Sequence, residues 1–540
     1  MSWGPLIPKK KSQERPKVVA QLEDSFIALR RFRKIEDKKG KFYNDQFELI
    51  KFDNLGKVLK KNVLSLKGIP QNPENLSLIY LRNELFAIYE YYQSKQENYV
   101  WEKRSIDIES LSFKEDAQEI SRSNSKEDLS PRSYSIKASR NENFLLFYRE
   151  KWNPGESKRV FFGMMVFDQN FSKILDKTIK KEVEDKVLAY GSVAIDDQGD
   201  VYFGLLIEPP SFGMLASKAK VKETRTSFRL YHLKAQAYIE KSYELELSGA
   251  YIAQMEIDLD PNGKVFGKGL YGEYYKQKQS ELENSSEEER DVYRNFDRNT
   301  AHGIITFREE DLVGTKISPR LQAFTETFAI ENIPHSRIVK NKGMTDFFYH
   351  KFKQGSDSFI FLEKFKSEVV PGPSASFDMS FSQTVPLFND GFSLSAATVV
   401  VTQLKDIILL KISETGEIEW HKTLPKFQRM GKLQLTEQKW SYGSFGILDK
   451  GNSLVLALND GPINFQQREK AWPYSKPDKM EMISLLHIDE KGEVKQEVIE
   501  ESKKEKFKLV PNCFSDFEAT KNNGIYYAEN AKGYKWGFLK

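Results

Sequence analysis

Ile407–Leu424 reads IILLKISETGEIEWHKTL: an almost wholly apolar run, a short turn carrying Gly416, then a run that alternates apolar and charged residues. Apolar alternation of period two on both sides of a four- or five-residue connection is the pattern of a β-hairpin. The first run reads as a strand buried on both faces, the second as an outer strand with one wet face. The same arrangement recurs at Phe47–Leu66, Phe162–Ile179 and Ile483–Ile499, and more weakly at Phe228–Leu245.

A second hairpin type precedes these. Ser192–Leu206, Gln254–Tyr271, Ser444–Leu458 and Ser515–Glu529 are its clear members; Leu76–Tyr89, Ser133–Tyr148 and the segment around Val18–Arg31 are rougher ones. Their Asp-x-x-Gly or Asn-Gly turns supply the positive φ angles that tight turns need. The two types in series give four strands per unit, with units beginning near residues 17, 76, 133, 188, 252, 327, 441 and 508. Four-stranded units at such a period, with almost no helical periodicity, predict an all-β chain: one β-propeller over residues 1–540 with about eight blades. Seven blades is the alternative, because the interval 327–440 is irregular. The last unit runs one strand short, with strands near Phe514–Ala519, Gly524–Glu529 and Tyr534–Leu539. Trp3–Ile7 resembles the outer strand Trp420–Leu424, and an N-terminal strand in that place closes the ring without an open edge.

Composition agrees with a folded domain and narrows the partners. Hydrophobic residues make up 39% and aromatics 13% of 540 residues, led by 38 Phe and 24 Tyr, which favour strands. The 82 basic and 78 acidic residues leave a net charge of +4, with no basic stripe interleaved with aromatics, so nucleic acid is not an expected partner. A single cysteine, Cys513, allows no intrachain disulfide and no cysteine-based metal site. No apolar run reaches the roughly 18 residues of a membrane span. The opening Met1-Ser2-Trp3-Gly4-Pro5 lacks the apolar stretch of a secretory signal. Three polar stretches, 114–132, 276–290 and 369–376, read as surface insertions, with a contact role as the rival reading.

Two resemblances follow from these patterns. Glu414-Thr415-Gly416-Glu417-Ile418-Glu419-Trp420 resembles the T-G-x-x-x-W repeat signature of quinoprotein-type propellers, in which the Trp docks between neighbouring blades. The likeness covers one unit, and the vicinal cysteine pair of the quinone-dependent enzymes is missing, so it implies architecture and not that chemistry. The chain is also similar to exported β-propeller proteins of Bacteroidota, on an early Trp3-Gly4, the Phe47–Asp53 strand, Ile407–Lys422 and the C-terminal Gly533-Tyr534-Lys535-Trp536-Gly537. That resemblance implies a removed export signal, a periplasmic or cell-surface location at the outer membrane, and no particular activity.

Motifs for chemistry are sparse. Asp258-Leu259-Asp260-Pro261-Asn262-Gly263 opens like a calcium loop, but Gly269 stands where the twelfth-position Glu belongs, so a tight turn is the better reading. Ser413–Trp420 grazes the sialidase Asp box, with Thr415 in place of its aspartate. The six histidines, His232, His302, His335, His350, His421 and His487, are never closer than 15 residues, so no paired-histidine metal motif exists. His232 and His487 read as structural; His302 and His350 are placed to line a face of the ring. The tyrosines Tyr89, Tyr91, Tyr92 and Tyr271–Tyr275 read as packing at strand ends, with partner anchoring as the rival. No residue is assigned a catalytic, cofactor-binding or metal role, and no cofactor is expected. The expected function is a non-catalytic protein-interaction scaffold, an accessory subunit of an outer-membrane-associated complex for secretion, motility or nutrient uptake. The alternatives are a glycan- or substrate-processing enzyme with a central-channel site and a cytosolic protein-interaction propeller.

Overall fold

The turns organise the hairpins through one repeated device. Asp53, Asp168, Asp196, Asp260 and Asp489 each accept, on Oδ1, the backbone N–H groups two and four residues ahead at 2.8–2.9 Å. The residue three ahead then takes a left-handed conformation, as at Gly56 (φ 73°), Gly263 (φ 79°) and Gly492 (φ 78°). Glycine meets that demand without steric cost. Phe171 (φ 60°) also occupies such a position, and its ring is buried 5.2 Å from Phe86 of the neighbouring sheet.

The structure is a computed structural model that describes residues 2–8, 14–35, 43–65, 75–93, 96–114, 116–124, 134–151, 159–182, 186–208, 227–235, 239–247, 250–260, 262–273, 300–333, 335, 343–354, 357–371, 398–413, 415–426, 428–430, 445–449, 453–460, 482–501, 507–510, 525–530 and 532–538.

Strand pairing gives eight antiparallel blades, with strands a to d from the inside outward. Blade 1 is Lys17–Gln21, Ser25–Ile35, Tyr43–Asp53 and Val58–Val63; blade 2 is Asn75–Leu81, Glu84–Gln93, Asn98–Asp107 and Ser112–Phe113. Blade 3 is Ser135–Ala138, Leu145–Lys151, Arg159–Phe167 and Lys173–Glu182; blade 4 is Lys186–Ile195, Val201–Glu208, Ser227–Lys234 and Ile239–Glu246. Blade 5 is Ala250–Leu259, Val265–Glu273, Gly303–Arg308 and Arg320–Ala323; blade 6 is Phe347–Gln354, Asp357–Pro371, Thr398–Ile412 and Ile418–Leu424. Blade 7 is Gly446–Asp449, Leu454–Asp460, Met482–Ile488 and Val494–Glu501. Blade 8 is Lys508–Leu509, Ile525–Glu529 and Gly533–Phe538, completed by the N-terminal segments Ser2–Trp3 and Ile7–Pro8. Ser2 and Trp3 pair with Phe538 and Gly537, and Ile7 pairs with Tyr534.

The core lies in the seams between blades. Every consecutive pair shares an apolar cluster, from Leu49 with Leu85 between blades 1 and 2 to Phe26, Phe52, Tyr527 and Trp536 between blades 1 and 8. A sheet whose two faces both meet neighbours explains the near-continuous apolar b and c strands, for example Leu145–Tyr148 and Ile407–Leu410. Trp420 does dock across a seam: its Nε1 donates to the Glu490 carbonyl at 2.9 Å, and its ring lies against Gly492 of the next blade.

Three expectations are corrected. The unit placed near residue 327 starts with the helix Glu326–Asn332, and blade 6 begins only at Phe347. Thr325 caps that helix by accepting the Phe328 N–H at 3.2 Å, and Phe328 is buried in the seam between blades 5 and 6. The stretch 114–132 is not only an insertion, since Gln118–Asn124 pairs antiparallel with Asn98–Asp107. In the stretch 369–376, Val369–Pro371 ends strand b of blade 6 by pairing with Thr398–Val400; residues 372–376 lie outside the described residues, as do 276–290 and the expected strand Phe514–Ala519.

Because strand direction alternates across each blade, a–b and c–d turns share one face of the ring, and b–c and d–a connections share the other. The turn face carries the tight Asp-anchored turns. On the connection face the b strands of blades 4 to 7 end at Glu208, Glu273, Pro371 and Asp460, and the c strands resume at Ser227, Gly303, Thr398 and Met482.

Candidate functional site

A row of buried polar groups crosses the apolar seams near the inner strands of blades 5 to 8. It starts on strand a of blade 6, where successive side chains point to opposite neighbours. Tyr349 faces blade 5 and His350 faces blade 7. On the blade 7 side, Lys426 Nζ is in a tight ion pair with Glu363 Oε1, both side chains 1% exposed. Lys426 Nζ also donates to Gln428 Oε1 at 3.3 Å, and Gln428 Nε2 donates to the Asn459 carbonyl at 2.9 Å. Asn459 then grips blade 8 twice: its Nδ2 donates to the Leu509 carbonyl at 2.8 Å, and its Oδ1 accepts the Leu509 N–H at 2.7 Å. Three blades are thereby tied by hydrogen bonds where sequence-distant segments meet.

His350 ends this row with its ring half in the seam: Nε2 is buried 3.6 Å from Glu363 Oε2, the ring stands edge-on to Phe445 at 5.4 Å, and the 40% of the side-chain surface that is exposed lies away from Nε2. Burial of the ring, helped by the Lys426 cation, lowers its pKa to about 4, against the opposing pull of Glu256. Near neutral pH it is therefore an uncharged imidazole: a poor proton donor, a weak base, and a competent hydrogen-bonding station. Glu363 is ion-paired with Lys426, which suits orientation and charge balance more than proton transfer. On the blade 5 side, burial and the nearby Glu256 carboxylate push the Tyr349 phenol well above its ordinary value, so it stays protonated.

The other histidines are structural. His232 Nε2 contacts Asp200 Oδ2 at 3.2 Å and stacks on Tyr202 at 4.3 Å; burial lowers its pKa despite the carboxylate. His487 meets Glu497 at 3.0 Å, and His421 meets Glu331 of the blade 5–6 helix at 3.1 Å. His302 does sit on the connection face, where the N–H groups of Glu273 and Gly343 approach its two ring nitrogens at 3.1 and 3.0 Å. His335 is exposed. The calcium-like loop is a turn, with Asp260 Oδ1 occupied by backbone N–H groups. Tyr89 and Tyr91 both donate to Glu102 at 2.9 Å within blade 2, and Tyr271 is buried: these three are packing groups, while Tyr274 and Tyr275 lie outside the described residues. Among the described residues, no three His, Cys, Asp or Glu side chains are grouped to hold a metal, and no helix is long and apolar enough to cross a membrane.

Of this row, sequence reasoning singled out only His350. Glu363, Lys426, Gln428 and Asn459 come from separate strands and connections, and the sole signal for them was charge or amide inside otherwise apolar stretches.

No family model matches the chain, and no curated protein shows a significant match. Among solved structures, it is similar to an apocarotenoid oxygenase variant from Synechocystis: 10% identity over 89% of this chain and 91% of that one, TM-score 0.34. A lignostilbene dioxygenase from Pseudomonas brassicacearum gives 10% identity over 90% and 91%, TM-score 0.33. The β-propeller domain of the trilobed protease from Pyrococcus furiosus gives 8% identity over 77% and 96%, TM-score 0.29. Scores this low carry no argument about activity; the eight-bladed ring rests on its own strand pairing and seams.

Proposed function

We propose that the ring is a non-catalytic protein-interaction scaffold, an accessory subunit of an outer-membrane-associated complex, working from the periplasm or cell surface. The observation that carries the scaffold reading is the asymmetry of the strand ends: in four consecutive blades, the b strand ends (Glu208, Glu273, Pro371, Asp460) and the c strand starts (Ser227, Gly303, Thr398, Met482) on one face are separated by long stretches of sequence. A rigid ring lowers the ordering cost of binding a large partner, and long b–c connections are the elements through which such a ring would meet it. The neutral His350 and the charge-balanced Glu363–Lys426 pair fit a structural polar row better than an acid–base pair. The location rests on the resemblance to exported propellers alone.

The test is crosslinking in native cells followed by affinity purification and mass spectrometry, for the wild type and for a variant whose four connections are replaced by short Gly-Ser linkers. A specific partner captured by the wild type and lost in the still-folded variant supports the scaffold. Equal capture by both rejects it. Fractionation of the same cells checks the location.

A second reading, a ligand-processing site in the central channel, is favoured by the partial exposure of the His350 ring on innermost strand a of blade 6. Screening oligosaccharides by calorimetry against wild type and His350→Ala decides it: binding that depends on His350 favours the channel site, and its absence removes it.

A further inference from the structure

The seam between blades 5 and 6 changes character along its length. Toward the connection face it is apolar, with Leu270 and Ile304 against Ile360, Leu362, Ile408 and Leu410. Toward the turn face the opposing surface of blade 5 carries Phe266, Lys268, Thr306, Arg308 and Arg320. The register places these on one side: Phe266 pairs with Arg308, Lys268 with Thr306, and Thr306 with Arg320. They line, with Ser358, Ser413, Thr415 and Gly416 of blade 6, a cavity of about 310 Å³. Lys268 is 2% exposed, and the hydroxyl residues Thr306 and Ser358 are each 7% exposed.

We propose that this cavity binds a small oxyanion-bearing molecule, a carboxylate or a phosphate. Its volume lies at the lower end of the range of ligand pockets, and its lining is mainly polar and charged, with Phe266 and Phe307 as the aromatic members. The lining carries four acidic residues, Asp260, Glu309, Glu310 and Asp311, against the cations Lys264, Lys268, Arg308 and Arg320. Two of the four are engaged by backbone: Asp260 accepts turn N–H groups and Asp311 accepts the Arg308 N–H at 2.8 Å, while Glu256, outside the lining, pairs in register with Lys268. Arg308 is only loosely balanced, with Nη1 3.7 Å from Glu310. Arg320 Nη1 donates to the Thr415 carbonyl at 3.1 Å, which fixes its planar fork at the cavity wall. Guanidinium forks match carboxylate and phosphate oxygens in geometry as well as charge. Gly416 brings the blade 6 turn so close that a Cβ there would sit 2.4 Å from Thr306 Oγ1, so the cavity mouth is shaped by that turn.

Calorimetric titrations at fixed, low ionic strength test this with two probes, sodium phosphate and sodium malonate. Saturable binding of one or both is expected, and whichever probe binds identifies the oxyanion. Arg320→Gln, an exposed position that leaves the fold intact, should weaken binding tenfold or more, and Arg308→Gln likewise. Arg122→Gln, on an exposed strand of blade 2, should leave it unchanged. No saturable binding of either probe, or equal affinity in Arg320→Gln and wild type, overturns the site.

Discussion

Lys426 and Glu363 sit where water does not reach, each 1% exposed, so neither charge survives alone. Removing one member of a buried pair typically costs about 3–5 kcal/mol, because the other is left uncompensated, whereas replacing both by apolar groups is often near neutral. Lys426→Met should therefore destabilise the chain by about 3 kcal/mol or more in denaturant unfolding, and Lys426→Met with Glu363→Leu should recover most of the loss. A double variant as unstable as the single one would assign the loss to packing instead. His350 adds a pH dependence. Its folded pKa of about 4 lies below the ordinary 6.5, so between those values the unfolded chain binds the extra proton. Stability from this group is complete above about 6.5 and declines as pH falls toward about 4. Imidazole proton resonances of His350 should titrate near the lower value, and His350→Gln should flatten the stability curve in that window; a midpoint near 6.5 contradicts the confinement described. None of this was legible in the sequence beyond His350 itself, because the ion pair joins positions 63 residues apart whose meeting depends on the seam.

Turns and hairpins, by contrast, were legible, because they are local. The units read from Asp-x-x-Gly spacing and period-two alternation match the a–b and c–d hairpins at Ser192–Leu206, Gln254–Tyr271 and Ile407–Leu424. The misses have physical causes. In blade 5 the c–d connection holds a 3₁₀ turn, Glu309–Asp311, and a small hairpin whose Lys316 pairs with Glu244 of blade 4, so no alternating outer strand follows c directly. In blade 6 the helix Glu326–Asn332 fills the linker, and its apolar residues imitate the start of a strand. Turn glycines also separate local strain from packing across blades. Gly263 and Gly492 have nearly equal φ, 79° and 78°, yet a Cβ at Gly263 meets nothing within 4 Å while one at Gly492 lies 3.0 Å from the Trp420 ring. Gly263→Ala should cost about 1 kcal/mol, the price of the left-handed conformation alone. Gly492→Ala should cost at least about 1 kcal/mol more, since it also displaces Trp420 from the Glu490 carbonyl. Equal losses in thermal unfolding would mean that the Trp docking contributes nothing.

A ring of blades has no separate core to fall back on: each seam is stabilised only if its neighbours stay in place, and the last seam exists only because the two chain ends meet. Blades 7 and 8 share Leu485 and Tyr526, blades 8 and 1 share Phe26, Phe52 and Trp536, and the outer strand of blade 8 is supplied from residues 2–8. Trp3 stands edge-on to Tyr526 at 5.8 Å, and the Gly4 N–H donates to the Trp536 carbonyl at 2.8 Å. Gly4 passes so near blade 1 that a Cβ would lie 2.4 Å from the Leu55 carbonyl oxygen, which leaves no room for a side chain. Gly4→Val should therefore peel the N-terminal strand from blade 8, and deletion of residues 2–8 should have the same effect without the clash. Both expose the backbone edge of Gly533–Phe538, an unpaired strand that invites pairing with another chain. The expected outcome is a lower thermal midpoint together with concentration-dependent association in light scattering. Trp3→Ala, which keeps the strand and loses its anchor, should cost about 2 kcal/mol while the protein stays monomeric, below the about 3–5 of a fully buried Trp. If the deletion variant is monomeric and melts like the wild type, the terminal strand is not what closes the ring, and the stability of the eight seams must be independent of their circular order.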